Sequence, residues 1–304
     1  MRVAVLGPGG VGGLLAGVLE EAGTDVVVVA RESTAAVIAE RGLRVESVSF
    51  GEFVAHPRAV ERLEEPVDAL IVATKAAGLK PALQRIATEP RVVLPLLNGL
   101  DHIAVLRERF AAGSVLAGSI RVEADRPEAG VVVHTSPFLL VDMACGEPAV
   151  RPAMEALAAA LSEAGVPVRM LDSQAQVMWS KLVRLNALAC TTSAYDKLLG
   201  EIRSTPELRA DLLGAIEEAC AVARAEGAVD VDPDTAIAEL DLAHDTLGSS
   251  MQRDIAAGRS PELDAIPGSV LRAAARHGLQ CPTIERLVAT IAERAGIPVP
   301  VVAR

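Results

Sequence analysis

Rings are scarce in this chain of 304 residues: one tryptophan, one tyrosine and four phenylalanines bring aromatics to 2%. Such a chain offers few rings on which single-stranded nucleic acid could stack. Positive charge is also in deficit. The net charge of −11 and pI near 5.0 leave no broad basic face, so no nucleic-acid partner is expected; only a locally positive pocket would take an anionic small molecule. The four cysteines, Cys145, Cys190, Cys220 and Cys281, lie far apart and form no CxxC pair, as expected of free thiols in a reducing compartment. Five scattered histidines without HExxH spacing give no reason to expect a metal. No apolar run reaches the ~18 residues of a membrane span, and no basic segment followed by a long apolar one opens the chain. No membrane association and a cytoplasmic location are expected.

Apolar residues make up 51%, enough for a substantial core, and the length suggests two domains. Short continuous runs at 3–6, 26–29, 69–73 and 92–95 predict strands covered on both faces. Between the first two, Val11, Leu14, Leu15, Val18 and Leu19 share one helical face, closed by Gly23. A second helix is expected over 79–89. Strand–helix alternation of this kind predicts a parallel, doubly wound sheet. Further strands are expected at 114–121, 130–134 and 138–142, then a helix over 152–165 and a last strand at 166–171. Beyond about residue 172 only Ala/Leu-rich helical segments follow, broken by "STPEL", "DVDPDT", "GRSPEL" and "CPT", each read as a new helix start. The expected organisation is an α/β domain over 1–172 and an all-helical domain over 173–304.

The stretch "GPGGVG" spans Gly7, Pro8, Gly9, Gly10, Val11 and Gly12, directly after a strand and before a helix. In G-x-G-x-x-G the first glycine permits the turn, the second lets pyrophosphate approach the backbone, and the third lets the helix pack against the sheet. The second strand then ends in Arg31, where an acid accepting from the ribose 2′-hydroxyl is often found. A guanidinium accepts nothing but suits a phosphate, so the expected cofactor is NADP (NADPH); a solvated arginine opening the next helix is the plainer alternative.

Only four lysines stand beside 25 arginines, so a retained lysine suggests a need that arginine cannot meet, such as giving up a proton. Lys181 falls on a helix with Leu185, Leu188 and Thr192 within about 60° of it. That apolar setting, which lowers an ammonium pKa, suits a proton donor; snorkelling at a core edge is the alternative. Lys75 follows the strand at 69–73, where open α/β sheets bind ligands. It either meets a cofactor phosphate or merely precedes the next helix.

Taken in order, "GPGGVG" at 7–12, Arg31, "ATKA" at 73–76, "LNGL" at 97–100, "WSKL" at 179–182 and "SSMQRDIAAGRSPELD" at 249–264 resemble the ketopantoate reductase family over essentially the whole chain. The resemblance implies a cleft between a Rossmann domain and a helical domain, and NADPH-dependent reduction of a 2-oxo acid to a 2-hydroxy acid. It implies Lys181 as general acid and Glu262 as a further catalytic residue, lining the substrate pocket. Asn98 then lies near nicotinamide and substrate, and Ser250 lines the substrate pocket. Each has a plainer reading: a turn at Asn98–Gly99, a helix end at Ser250, a first-turn acid at Glu262.

The resemblance breaks four and eight residues after Lys181. The family usually has asparagine there, whereas this chain has Leu185 and Ala189. Asn186, about 140° round from Lys181, does not substitute for them. The pocket is therefore expected to be more apolar, with Arg184 as a candidate carboxylate anchor. Ketopantoate is the first candidate substrate, a less polar 2-oxo acid the alternative, and a non-catalytic NADP(H)-sensing protein the reading from another class. A homodimer is compatible with the Ala/Leu-rich helices.

Overall fold

The computed structural model describes residues 1–302. Contacts divide the chain into two compact units, Met1–Leu97 with His102–Val177, and Asn98–Asp101 with the residues from Met178 onward.

The first unit begins β1 (Arg2–Leu6), α1 (Gly10–Glu21), β2 (Asp25–Val29), α2 (Glu32–Arg41), β3 (Leu43–Ser47), β4 (Gly51–Ala55), β5 (Arg58–Val60) and β6 (Ala69–Val72). It continues with α3 (Leu79–Leu83), β7 (Val92–Pro95), α4 (His102–Arg109), β8 (Ala117–Arg121), β9 (Ala124–Asp125), β10 (Val131–His134), β11 (Leu140–Ala144), α5 (Arg151–Glu163) and β12 (Val168–Met170). Five strands form an all-parallel sheet in the order β5-β2-β1-β6-β7. Counting these strands alone, the order is 3-2-1-4-5, and the direction of winding reverses between β1 and β6, the switch point at which such sheets bind ligands.

Alternation within the apolar runs explains why they are continuous. Val3, Val5, Val26, Val28, Ala69 and Ile71 enter a core on one face of the sheet. Ala4, Leu6, Val27, Val29, Leu70 and Val72 enter a second core on the other. With both faces covered, no position is left for a polar side chain. Two smaller sheets complete the unit: β4-β3-β10-β9 and β12-β11-β8. The first of these packs on α1, whose other side lies on β1 and β2. Helix α1 is thereby sandwiched between sheets, and Gly13 and Gly17 let it in, since a Cβ there would come within 2.5 Å of Val132 and 2.7 Å of Val45.

Two expectations need correction. The helix expected over 79–89 stops at Leu83. Beyond it the Leu63 N–H donates to the Arg85 carbonyl and the Ala87 N–H to the Leu63 carbonyl, both at 2.8 Å. A bridge between Leu63 and Ile86 thus takes over the backbone groups a longer helix needs, and buries Ile86 in the core. The strands at 43–47, 51–55 and 58–60, besides the short β9, fall outside the expected set.

Helix α6 (Gln174–Tyr195) begins in the first unit and continues as the first helix of the second. There follow α7 (Leu199–Ser204), α8 (Pro206–Ala225), α9 (Pro233–Leu242), α10 (Ser250–Ala256), a π-helical turn Asp264–Gly268, α11 (Ser269–Arg276) and α12 (Pro282–Ala295). Helix α8 is central, packing on α7, α9, α11 and α12. The described part of this unit contains no strand. Three of the four expected helix starts hold: Pro206, Pro233 and Pro282 each open a helix. "GRSPEL" does not. Pro261 and Glu262 lie in irregular chain before the π turn, which removes the reading of Glu262 as the first-turn acid of a helix. No helix among the described residues is long and apolar enough to cross a membrane.

Candidate active site

The glycine turn lies at the carboxyl end of β1, at the switch point. Gly7 has φ +89°, and its N–H donates to the Val29 carbonyl at 3.1 Å; a side chain here would be strained whatever the space. A Cβ on Gly10 would lie 2.1 Å from the Ala124 carbonyl oxygen, and one on Gly12 2.3 Å from that of Gly7. Those three glycines are dictated by the chain's own packing. Gly9 is different: its backbone is ordinary extended chain, and a Cβ would meet nothing within 4 Å among the described residues. No contact among the described residues requires a glycine there, and its backbone is open to a group approaching from outside. Pro8 is buried and Val11 half-buried beside it. The first N–H groups of α1 have no carbonyl one turn back, so this helix end favours an anion.

Next to the turn, Thr74 follows β6. Its Oγ1 is buried without a hydrogen-bond partner among the described residues, and its methyl would lie 2.8 Å from a Cβ on Gly7. An open space over Gly9 and the unsatisfied hydroxyl of Thr74, whose side chain lies against Gly7, fit a phosphate-bearing nucleotide. Sequence reading passed over Thr74 in favour of its neighbour Lys75, which is exposed and precedes a short 3₁₀ turn. Arg31 occupies the N-cap position of α2. Its side chain is exposed, and its carbonyl accepts the Thr34 and Ala35 N–H groups at 2.9 Å. It therefore starts the helix, as the plainer reading held, while its guanidinium stands at the end of β2.

The second unit joins three predicted residues from three separate stretches of chain. Lys181 Nζ donates to Asn98 Oδ1 at 3.0 Å, and Asn98 Nδ2 donates to Glu262 Oε2 at 3.0 Å. All three side chains are half-buried. The ammonium claims the carbonyl end of the amide and the carboxylate its NH₂ end, so the two charges fix which way the amide points. Lys181 thereby gains a defined position that a snorkelling lysine lacks. Gly99 does form a turn, with φ +83°, and it lies so close to the Ala265 carbonyl that a Cβ would fall 1.8 Å from the oxygen. The turn and the Asn98 contact are parts of one arrangement.

Other candidates stand apart from these three residues. Ser250 is exposed at the first position of α10. The buried Ser249 caps that helix instead, accepting from Gln252 N at 3.0 Å and from Thr192 Oγ1 at 2.8 Å. The Arg184 guanidinium is ion-paired with Glu239, so its role as a carboxylate anchor requires that pair to open. Asn186 is fully buried, with its Oδ1 accepting from Cys190 Sγ at 3.6 Å. It belongs to the core of the second unit. Burial pushes the Cys190 thiol well above the ordinary thiol range, so no thiolate forms there. Leu185 is half-buried and Ala189 buried, which leaves Leu185 as the apolar side chain one turn beyond Lys181.

Known proteins show the same organisation. The family model for ketopantoate reductase PanE/ApbA matches residues 3–143, and the model for its C-terminal part matches 174–295. A 2-dehydropantoate 2-reductase of Halobacterium salinarum is 30% identical over 97% of this chain and 100% of its own. Among solved structures, the 2-dehydropantoate 2-reductase of Geobacter metallireducens GS-15 is 26% identical with TM-score 0.87, over 96% of this chain and 99% of that one. A D-mandelate dehydrogenase solved with NADH and anilino(oxo)acetate is 23% identical with TM-score 0.88, over 97% and 99%. At that identity the last likeness concerns the fold.

Proposed function

This chain belongs to the ketopantoate reductase family, and from that premise we propose that it is an NADPH-dependent reductase of 2-oxo acids. 2-Dehydropantoate is the first candidate substrate and a less polar 2-oxo acid the alternative, favoured by Leu185. The observation that carries the reading is the Lys181–Asn98–Glu262 chain of hydrogen bonds.

When bound, NADPH supplies the hydride that reaches the ketone carbon. The backbone of Gly7–Gly12 would cradle its pyrophosphate, with Thr74 and Lys75 alongside and Arg31 on the 2′-phosphate. The protein's own task is the ketone oxygen, where negative charge builds. Lys181 donates a hydrogen bond to that oxygen, stabilises the charge and then yields a proton to complete the alcohol. Asn98 holds the ammonium through its carbonyl oxygen while its NH₂ is anchored on Glu262. A redox sensor has no need of an ammonium oriented in this way.

The test follows NADPH oxidation at 340 nm over a panel of 2-oxo acids. Turnover is expected, and Lys181→Ala should lower kcat by about 10²–10⁴-fold, the range for a general acid. Unchanged turnover in that variant rejects the proton donor, and tight NADPH binding without turnover of any acid selects the sensor. In the same assay, Arg31→Ala should cut the preference for NADPH over NADH by about tenfold or more, the worth of a charge-assisted hydrogen bond. A preference for NADH in the unmodified enzyme assigns the ribose to Glu32 instead, the acid one residue on.

A further inference from the structure

Asn98 belongs to a four-residue segment, 98–101, and Glu262 to irregular chain, so neither is fixed by secondary structure of its own. Both segments are gripped by one side chain. Arg272, on α11, donates to Asp101 Oδ2 from Nε at 3.0 Å and from Nη2 at 2.6 Å. Its Nη1 donates to Asp264 Oδ1 at 2.8 Å and its Nη2 to the Asp264 carbonyl at 2.7 Å. Nη1 also reaches the Val301 carbonyl at 3.3 Å. Asp101 lies three residues beyond Asn98, and Asp264 two residues beyond Glu262. One rigid planar fork therefore ties together the two stretches whose side chains meet at the Asn98–Glu262 hydrogen bond. Gly268 leaves room for it, since a Cβ there would stand 3.3 Å from both Nη1 and Asp264 Oδ1.

We propose that Arg272 is a positioning residue for the reductase: it sets the spacing of Asn98 and Glu262, and through Asn98 the placement of the Lys181 ammonium. This rests on the reading of Lys181 as proton donor. Asp264 is 74% exposed and Asp101 45%, and ion pairs so open to solvent contribute little to global stability. A misplacement of about 1 Å at a reacting group, by contrast, costs up to about 100-fold in rate. Lysine, a point charge, cannot span both carboxylates and a carbonyl as the guanidinium does.

The experiment measures kcat, KM, NADPH affinity by fluorescence, and Tm for wild type, Arg272→Gln, Arg272→Lys, Asp101→Asn, Asn98→Ala and the double variant Arg272→Gln/Asn98→Ala. The expected result is a fall in kcat of about 10–100-fold in Arg272→Gln, with Tm and NADPH affinity nearly unchanged. Arg272→Lys should give no rescue, Asp101→Asn a smaller loss in the same direction, and the double variant should be no slower than Asn98→Ala alone. The proposal is overturned if the two effects multiply in the double variant, or if Asn98→Ala is impaired while both Arg272→Gln and Asp101→Asn keep full kcat. Normal turnover in both Lys181→Ala and Asn98→Ala marks instead the failure of the proton-donor reading, and the positioning role falls with it.

Discussion

Gly9 and Gly12 stand three residues apart in one turn and answer to different demands. A methyl on Gly12 would press on the Gly7 carbonyl at 2.3 Å, so Gly12→Ala must shift α1 away from β1, an overpacking cost of about 1–3 kcal/mol. A methyl on Gly9 would meet nothing within 4 Å, and alanine fits its extended backbone; the stability of Gly9→Ala should stay within about 1 kcal/mol of wild type. The same methyl would occupy the space proposed for the pyrophosphate. Thermal unfolding and NADPH fluorescence titration should therefore separate the two variants: Gly9→Ala folded as well as wild type but at least tenfold weaker for NADPH, Gly12→Ala with a lower Tm. Full NADPH affinity in Gly9→Ala would show that the nucleotide does not lie over this turn.

At the scale of elements, strands buried on both faces were legible because their covered stretches are continuously apolar, as at 3–6 in β1, 26–29 in β2, and throughout β6 and β7. Strand β3 was not. Leu43 and Val45 are buried but Arg44 between them is exposed, and a search for continuous apolar runs passes over such a strand. The helix expected beyond Leu83 failed for another reason: the competing bridge at Leu63 lies some twenty residues upstream, invisible to local periodicity. The site divides in the same way. The glycine turn is local and was read directly from spacing. Lys181 was suggested by the scarcity of lysine and its apolar helix face, Asn98 and Glu262 by resemblance, but their contacts span 83 and 164 positions of chain, which only the fold brings together. Helix α6 offers the element-scale test. Ala189 is too buried to accept an amide, whereas the half-buried Leu185 has room to become polar. Leu185→Asn should raise kcat/KM for 2-dehydropantoate relative to its analogue lacking the hydroxyl by about tenfold. An unchanged ratio would mean that this face of α6 does not meet the substrate side chain.

Acid is the condition that tests the molecule as a whole, because two opposed effects act together. With a net charge of −11 and a pI near 5.0, lowering the pH from 7 removes self-repulsion and should stabilise the folded chain. Against this stands His102, 3% exposed at the start of α4, with both ring nitrogens lacking a partner among the described residues. Burial lowers its pKa from the ordinary 6.5 to about 4, and the positive end of the helix dipole opposes a proton in the same sense. Between pH 6.5 and about 4 the unfolded chain binds a proton there that the folded chain refuses, so stability falls as the pH falls through that window. His134, also lowered by burial, adds in the same direction. Asp211, held below the usual carboxylate range chiefly by its hydrogen bond from Arg286, takes effect only at lower pH. From pH 7 to pH 5 His102 alone is worth about 2 kcal/mol, more than diffuse repulsion screened by salt should return. Urea unfolding should thus show wild type losing stability over this interval, and His102→Leu losing less by about that amount. Equal losses in the two proteins would show that His102 takes up its proton as readily in the folded chain as in the unfolded one.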